Sequence, residues 1–209
     1  MRVVSGAART RDILISAVSL VIVALLSSFV VVALAEMGDK TQLVALSMAS
    51  RYRRPWAVLL GILIATTVNH ALASSVGVWA ATRMPAVVVQ WGLALGFIGF
   101  GIWTLVPDSS IELARLPVWG PLVTTAVVFF LAEMGDKTQL ATVALAARFG
   151  SPAAVTAGTT LGMLAADALA VFAGSYLATR LPMAWIRRAA AALFFVFGLA
   201  IILQLLANR

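Results

Sequence analysis

The sequence predicts an all-α membrane protein with six transmembrane helices, arranged as two inverted repeats of three helices each (3+3). Of its 209 residues, 62% are hydrophobic and only 11% are charged, whereas a soluble domain carries about 25% charged residues. Apolar runs of about twenty residues recur along the chain, and each can cross a hydrocarbon layer of about 30 Å as a helix. The segment LAEMGDKTQL occurs twice, at 34–43 and at 131–140.

The repeat extends beyond this segment at a constant offset of 97 residues, without a gap over the following seventy residues. A register this regular indicates an internal duplication. Matched pairs include Arg51 with Arg148, Pro55 with Pro152, Gly61 with Gly158, and Phe97 with Phe194.

Each copy divides into three predicted helices. Prolines lie at or near five of the six helix starts, where a missing amide donor costs nothing. We expect one transmembrane domain, 1–209, with an N-terminal arm at 1–19, repeat 1 at about 20–106, a polar linker at 107–117 and repeat 2 at about 118–207. The predicted helices are 20–50, 55–81, 86–106, 118–148, 152–179 and 184–207.

The number of crossings in each copy determines the predicted architecture. After three crossings the second copy must enter the membrane from the opposite side, which gives inverted repeats with a site near mid-membrane at their interface. An extra crossing at 13–26 would make seven, but nothing between Leu26 and Phe29 forces a turn, so six is preferred. Residues 1–35 resemble a signal peptide. Because Leu-Ala-Glu-Met recurs at 131–134 in mid-chain, we expect this helix to be retained.

Orientation in the membrane follows from arginine placement, and the indications conflict. The loops 51–54, 107–117 and 180–188 carry seven arginines. By the positive-inside rule, they favour a cytoplasmic linker with both termini outside. The basic N-terminal arm argues for the reverse. The remaining arginines also flank apolar runs, so the net charge of +7 indicates contact with membrane lipid and not with nucleic acid. The sequence leaves the oligomeric state open, including a homo-oligomer.

Five of the eight acidic residues fall inside predicted helices. Each charge at membrane depth costs at least about 2.5–3.5 kcal/mol, so such groups usually face a partner or a pathway. The two acids of each motif are three residues apart and share one helix face. Between them lies a glycine, Gly38 or Gly135, where a local break could expose carbonyl groups. The motif acids are Glu36, Asp39, Glu133 and Asp136.

The charge of this group indicates what it binds. Four carboxylates with Lys40 and Lys137 sum to −2, which one divalent cation or two protons would neutralise. Oxygen ligands in a chain without cysteine favour Ca²⁺, Mn²⁺ or Mg²⁺ over Cu(I) or Zn²⁺. Cation binding requires deprotonated carboxylates and therefore competes with protons. Neutral oxygens are available from Thr41, Gln42, Thr138 and Gln139.

Other polar residues of the predicted helices have two interpretations. His70 is the only histidine, and the offset places it on Asp167, with Asn69 beside it. These residues predict either a proton relay close to the cation ligands or ordinary hydrogen-bonded packing. The lysines Lys40 and Lys137 belong to the same group, as tethers of the acids or as side chains that reach toward an interface. The acids themselves could instead serve only as structural ion pairs.

The doubled motif E-x-G-D-[KR]-[ST], at 36–41 and 133–138, resembles the signature of a calcium/manganese–proton exchanger family. That family includes Golgi and chloroplast manganese transporters and bacterial manganese exporters. The resemblance covers nearly the whole chain from about residue 20. It implies export of a divalent cation, Mn²⁺ first and Ca²⁺ second, in exchange for protons by alternating access. The implied ligands are the four motif acids, with Thr41, Gln42, Thr138 and Gln139 nearby.

The resemblance also implies a transporter and not an enzyme, with the cation as transported substrate and no resident cofactor. The short chain and the absence of a long acidic central loop resemble bacterial members, so we expect a multi-pass protein of the bacterial inner membrane. Three alternatives stay open: an exporter of an amino acid or other organic solute, a membrane hydrolase that uses paired carboxylates, and a passive channel.

Overall fold

The computed structural model describes residues 3–106, 119–180 and 183–207, and within these ranges every regular element is an α-helix. The all-α prediction is therefore confirmed, whereas the predicted linker at 107–117 lies outside the described residues. The helices are α1 (Val3–Glu36), α2 (Lys40–Tyr52), α3 (Pro55–Arg83), α4 (Ala86–Leu105), α5 (Pro121–Glu133), α6 (Lys137–Phe149), α7 (Pro152–Arg180) and α8 (Met183–Ala207).

The first helix of each repeat is broken, so the prediction of continuous helices at 20–50 and 118–148 is wrong. Both breaks fall at Met-Gly-Asp, between α1 and α2 and between α5 and α6. Gly38 has a φ of 82° and Gly135 a φ of 81°. Only glycine adopts such left-handed values readily, and an aspartate follows as the cap of the next helix. The local break that the sequence raised at Gly38 and Gly135 is thus confirmed.

The N-terminal arm also differs from its prediction. Helix α1 begins at Val3, so most of the expected arm at 1–19 is helical and continues directly into the first apolar segment. The helix shows no break near Leu26. The turn that a separate crossing at 13–26 would need is therefore absent from this described helix.

Within the described residues, five helices are long and apolar enough to cross a membrane: Leu14–Glu36 within α1, Pro55–Arg83, Ala86–Leu105, Pro152–Ala173 within α7, and Arg188–Ala207 within α8. The apolar helix α5 has 13 residues, too few to span the hydrocarbon layer by itself.

Helices of one repeat pack mainly against helices of the other, and the contacts form equivalent pairs under the repeat. Helix α1 lies along α7 and α5 lies along α3, while α4 packs against α8. Gly61 of α3 lies against Leu122 of α5, where an added Cβ would be 2.7 Å from the Leu122 carbonyl oxygen. Gly158 of α7 lies in the same way against Leu25 of α1. Since both pairs differ by the repeat offset, the two repeats interlock through equivalent contacts.

The contacts of α3 give the direction of the broken segment beside it. Gly61 meets Leu122 in α5, whereas Gly77 meets Val143 and Ala146 in α6. The order of contacts along α3 is thus the order of the chain in α5 and then α6. The segment therefore continues in one direction past its break and does not fold back.

Candidate cation site

The two motif breaks have the same local construction. In each, the glutamate is the last residue of one helix and the aspartate caps the next. The Asp39 amide donates to the Glu36 carbonyl at 3.1 Å, and the Asp136 amide donates to the Glu133 carbonyl at 3.2 Å. Both acids are thereby held at one turn of the backbone, so each break presents two carboxylates.

Glutamine side chains close both turns. The Gly38 amide donates to Gln42 Oε1 at 2.8 Å, and the Gly135 amide donates to Gln139 Oε1 at 2.7 Å. Gln42 also donates through Nε2 to the Ala166 carbonyl of α7 at 2.8 Å. Each glutamine oxygen thus accepts a backbone hydrogen bond that stabilises the turn, and its predicted role as a cation ligand stays a prediction.

Carboxylates from the two breaks meet in the interior. Glu36, Glu133 and Asp136 are buried, and one oxygen from each lies within 4.8 Å of the others. Oxygens that share a cation at about 2.3–2.6 Å lie within about 5 Å of one another. Glu36 Oε1, Glu133 Oε1 and Asp136 Oδ2 have no hydrogen-bond partner. This group, called the three-carboxylate cluster, offers oxygen atoms of the type that hard divalent cations bind, at a spacing that could hold one ion.

Threonine hydroxyls orient the two glutamates. Thr41 donates to Glu36 Oε2 at 2.8 Å, and Thr138 donates to Glu133 Oε2 at 3.1 Å. Each bond occupies the second oxygen of its carboxylate and leaves Oε1 unpaired. Each threonine thus fixes the orientation of one glutamate, and its predicted role as a neutral ligand stays a prediction.

The lysines form ion pairs between the repeats. Lys40 Nζ lies 3.1 Å from Asp136 Oδ1, and Lys137 Nζ lies 2.8 Å from Asp39 Oδ2. Each lysine thus contacts the aspartate of the opposite motif. Asp39 is paired with Lys137 and is not one of the residues of the three-carboxylate cluster.

The equivalent positions His70 and Asp167 have different surroundings. Asp167 is fully buried, neither of its carboxylate oxygens has a hydrogen-bond partner, and it interacts electrostatically with Glu36. His70 is also buried, but its Nδ1 lies 3.3 Å from the Thr160 hydroxyl. Asn69 donates to the Phe130 carbonyl at 3.0 Å. Asp167 therefore belongs to the acidic region, whereas His70 contacts neutral hydroxyl groups.

One polar group escaped the sequence analysis. Thr156 and Thr160 lie one turn apart on α7 and face α3. The Thr156 hydroxyl donates to Ser74 Oγ at 3.0 Å, one turn beyond the histidine that contacts Thr160. The four-residue spacing of the threonines on one helix face was the available signal.

Comparison with known proteins gives the family of this chain. The family described as "Divalent cation/proton antiporter GDT1" matches residues 24–112 and again residues 121–209, once for each repeat. The chain belongs to the GDT1 family. A GDT1-like protein of Synechocystis, sll0615, is 28% identical over 197 residues, covering 82% of this chain and 93% of its own.

Two further relatives are informative. A Vibrio cholerae protein named "Putative manganese exporter" is 42% identical over 174 residues, covering 83% of this chain and 87% of its own. The yeast "Divalent cation/proton antiporter GDT1" is 38% identical over 88 residues, covering 42% of this chain and 30% of its own. No solved structure matches the chain.

Membership in the GDT1 family confirms the predicted resemblance and makes the protein a transporter of divalent cations and not an enzyme. Because the described part of the chain has five helices able to span a membrane, it is a multi-pass membrane protein. The bacterial relative from Vibrio cholerae agrees with the predicted location in a bacterial inner membrane.

Proposed function

We propose that this GDT1-family protein exports Mn²⁺, with Ca²⁺ as the second candidate, and that protons move inward in exchange. The observation that carries this proposal is the three-carboxylate cluster, whose unpaired oxygens come from both repeats. Mn²⁺ is a hard cation that carboxylate oxygens suit. The name of the Vibrio cholerae relative supports manganese as the cargo.

The cation is bound first by Glu36, Glu133 and Asp136, and Asp39 of the first motif is the ligand equivalent to Asp136. Thr41 and Thr138 hold the glutamates, as their hydrogen bonds indicate. Because the same carboxylate oxygens bind either a metal or a proton, loading the cation releases protons from the site. This competition provides the coupling that exchange requires.

The proposed architecture has six crossings in two inverted repeats within one transmembrane domain. Helices α1 and α2 together form the first crossing, and α5 and α6 together form the fourth. The one-directional course of α5 and α6 along α3 supports this assignment. Broken helices that meet at mid-membrane are the usual place for ion sites in such transporters, and the exchange of helix contacts between the repeats supports an approximate two-fold relation.

Transport by the purified, full-length protein in proteoliposomes tests the proposal. The liposome interior is made acidic, and Mn²⁺, Ca²⁺ and Mg²⁺ are offered outside in turn. We expect Mn²⁺ to accumulate against its gradient, with smaller accumulation of Ca²⁺, and a protonophore to abolish the accumulation. Protein-free liposomes provide the control for leak.

Two results would contradict the proposal. Mn²⁺ movement that only equilibrates and ignores the pH gradient would indicate a passive channel. Failure to move any cation, by protein shown to be folded and inserted, would favour the organic-solute exporter, whose carboxylates would bind a substrate amine.

A further inference from the structure

We propose that Lys40 and Lys137 are internal counter-cations that exchange with the transported cation, each on one side of the transport cycle. This inference rests on the proposed function, since it assigns these lysines a part in binding and releasing the same cargo. In the state described here, Lys40 is the lysine that the incoming cation displaces.

The first argument is the balance of charge among the buried motif residues. The four motif acids are all buried, and buried carboxylates are strongly destabilising unless a positive charge or a proton balances them. The two ammonium groups contact two of these acids at 3.1 Å and 2.8 Å. The lysines thus supply positive charge that partly balances the buried acids.

The second argument is that the pairing is reciprocal. Lys40 follows Asp39 directly, and its backbone amide donates to Asp39 Oδ1 at 2.6 Å. Its ammonium group nevertheless reaches Asp136 of the other repeat, as Lys137 reaches Asp39. Each ion pair therefore joins the two repeats, so displacement of a lysine by a cation removes one link between them.

The third argument is that the two pairs are unequal. The Lys137 side chain is 4% exposed and its partner Asp39 is 0% exposed, whereas the Lys40 side chain is 20% exposed. Asp136, the partner of Lys40, retains an unpaired oxygen and belongs to the three-carboxylate cluster. A cation bound to this cluster would compete with Lys40 for Asp136 and leave the buried pair of Lys137 intact.

The repeat then defines the other half of the cycle. In the opposite state, Lys137 is the exposed lysine, and Asp39 replaces Asp136 as the third carboxylate. Glu36 and Glu133 bind the cation in both states. The aspartate ligand is Asp136 when the protein opens to one side and Asp39 when it opens to the other. A lysine returning to its aspartate helps to release the cation.

Equilibrium binding of Mn²⁺ to the purified full-length protein in detergent tests this inference, with free Mn²⁺ measured by electron paramagnetic resonance. Lys40→Met removes the competing charge, so we expect it to bind Mn²⁺ at least about tenfold more tightly than wild type. Lys40→Arg keeps the charge and is expected to bind at least about tenfold more weakly than Lys40→Met. Lys137→Met should give a smaller gain than Lys40→Met.

Transport provides the second measurement. In proteoliposomes, Lys40→Met should turn over more slowly than wild type despite its tighter binding, because no returning ammonium group helps to release the cation. If Lys40→Met does not fold, Lys40→Gln replaces it in both assays, with the same expectations.

The outcomes separate this inference from the proposed function. If Lys40→Met, correctly folded, binds Mn²⁺ as wild type does or more weakly, Lys40 has a structural role only and the counter-cation inference is wrong. If wild type itself binds no Mn²⁺, or Asp136→Asn binds it unchanged, the proposed cation site fails as well. Tighter binding by Lys40→Met together with lost binding by Asp136→Asn supports both.

Discussion

The two repeats carry the same ten-residue motif, but their copies have different surroundings. In the first, the aspartate accepts a hydrogen bond from the next backbone amide and is fully buried against Lys137. In the second, Asp136 makes no side-chain capping bond, and its lysine partner is partly exposed. Two identical sequences therefore form one buried ion pair and one partly exposed ion pair, so the surroundings and not the motif determine how accessible each pair is.

The largest expected effect on Mn²⁺ transport comes from the motif aspartates, which occur in both repeats. Asp39→Asn and Asp136→Asn should each reduce proton-driven Mn²⁺ transport by at least about 100-fold, since each removes a ligand and leaves a lysine, buried Lys137 or half-buried Lys40, without its carboxylate. The measurement is initial uptake in proteoliposomes, with membrane insertion checked by detergent extraction and gel filtration. Unimpaired transport by either variant would show that the two motifs are not both required.

A smaller effect should distinguish His70 from Asp167. Asp167→Asn removes a buried carboxylate that interacts with Glu36, and we expect it to lower Mn²⁺ transport about tenfold, equivalent to about 1.4 kcal/mol. His70→Asn, the matched change in the other repeat, should lower transport less than about threefold because His70 contacts a neutral hydroxyl. Equal losses in both variants would contradict the difference that we infer between the two positions.

Substitution of the closely packed glycines, Gly61 and Gly158, should lower thermal stability equally in both repeats. Gly61→Ala and Gly158→Ala each place a methyl group against a backbone carbonyl, and overpacking of this kind costs about 1–3 kcal/mol. Both variants should unfold at a lower temperature in detergent than wild type. Gly92→Ala in α4 is the control, because no atom lies within 4 Å of its added Cβ. Loss of stability in only one repeat would argue against equivalent packing.

The smallest effect belongs to the threonines that orient the glutamates. Thr41→Val and Thr138→Val each remove one hydrogen bond, worth about 0.5–1.5 kcal/mol, so Mn²⁺ affinity should fall by between about twofold and about tenfold. Calorimetric titration of the purified variants measures this change. A loss much larger than tenfold would mean that the threonine hydroxyl is itself a ligand.

Much of this arrangement could be predicted from the sequence because the duplication is visible in it. The repeat placed the motif acids in equivalent helices, and their charge indicated a divalent cation. The breaks were harder to predict, since a glycine within an apolar helical pattern is usually tolerated. Here Gly38 has positive φ and Gln42 closes the turn while also contacting α7, so the break depends in part on a tertiary contact.

The partners of the lysines could not be predicted for a related reason. Lys40 adjoins Asp39 in the chain, and nothing in the sequence distinguishes that neighbour from Asp136 as its partner. The choice depends on the relative placement of the two repeats. The unequal surroundings of His70 and Asp167 depend on the same placement and were likewise hidden from the sequence.

The interlocked packing has a consequence for how the molecule can move. Gly158 against Leu25 joins α7 to α1, and Gly61 against Leu122 joins α3 to α5, with no room for a side chain at either contact. Helices packed this closely resist sliding past each other. The α1–α7 pair and the α3–α5 pair would therefore each move as one rigid body, and each body contains one helix from each repeat. Glu36 ends α1 and Glu133 ends α5, which places one cation ligand on each body. The cation would then bind at the interface between the α1–α7 pair and the α3–α5 pair. Binding and release of the cation could therefore change how these two helix pairs pack against each other.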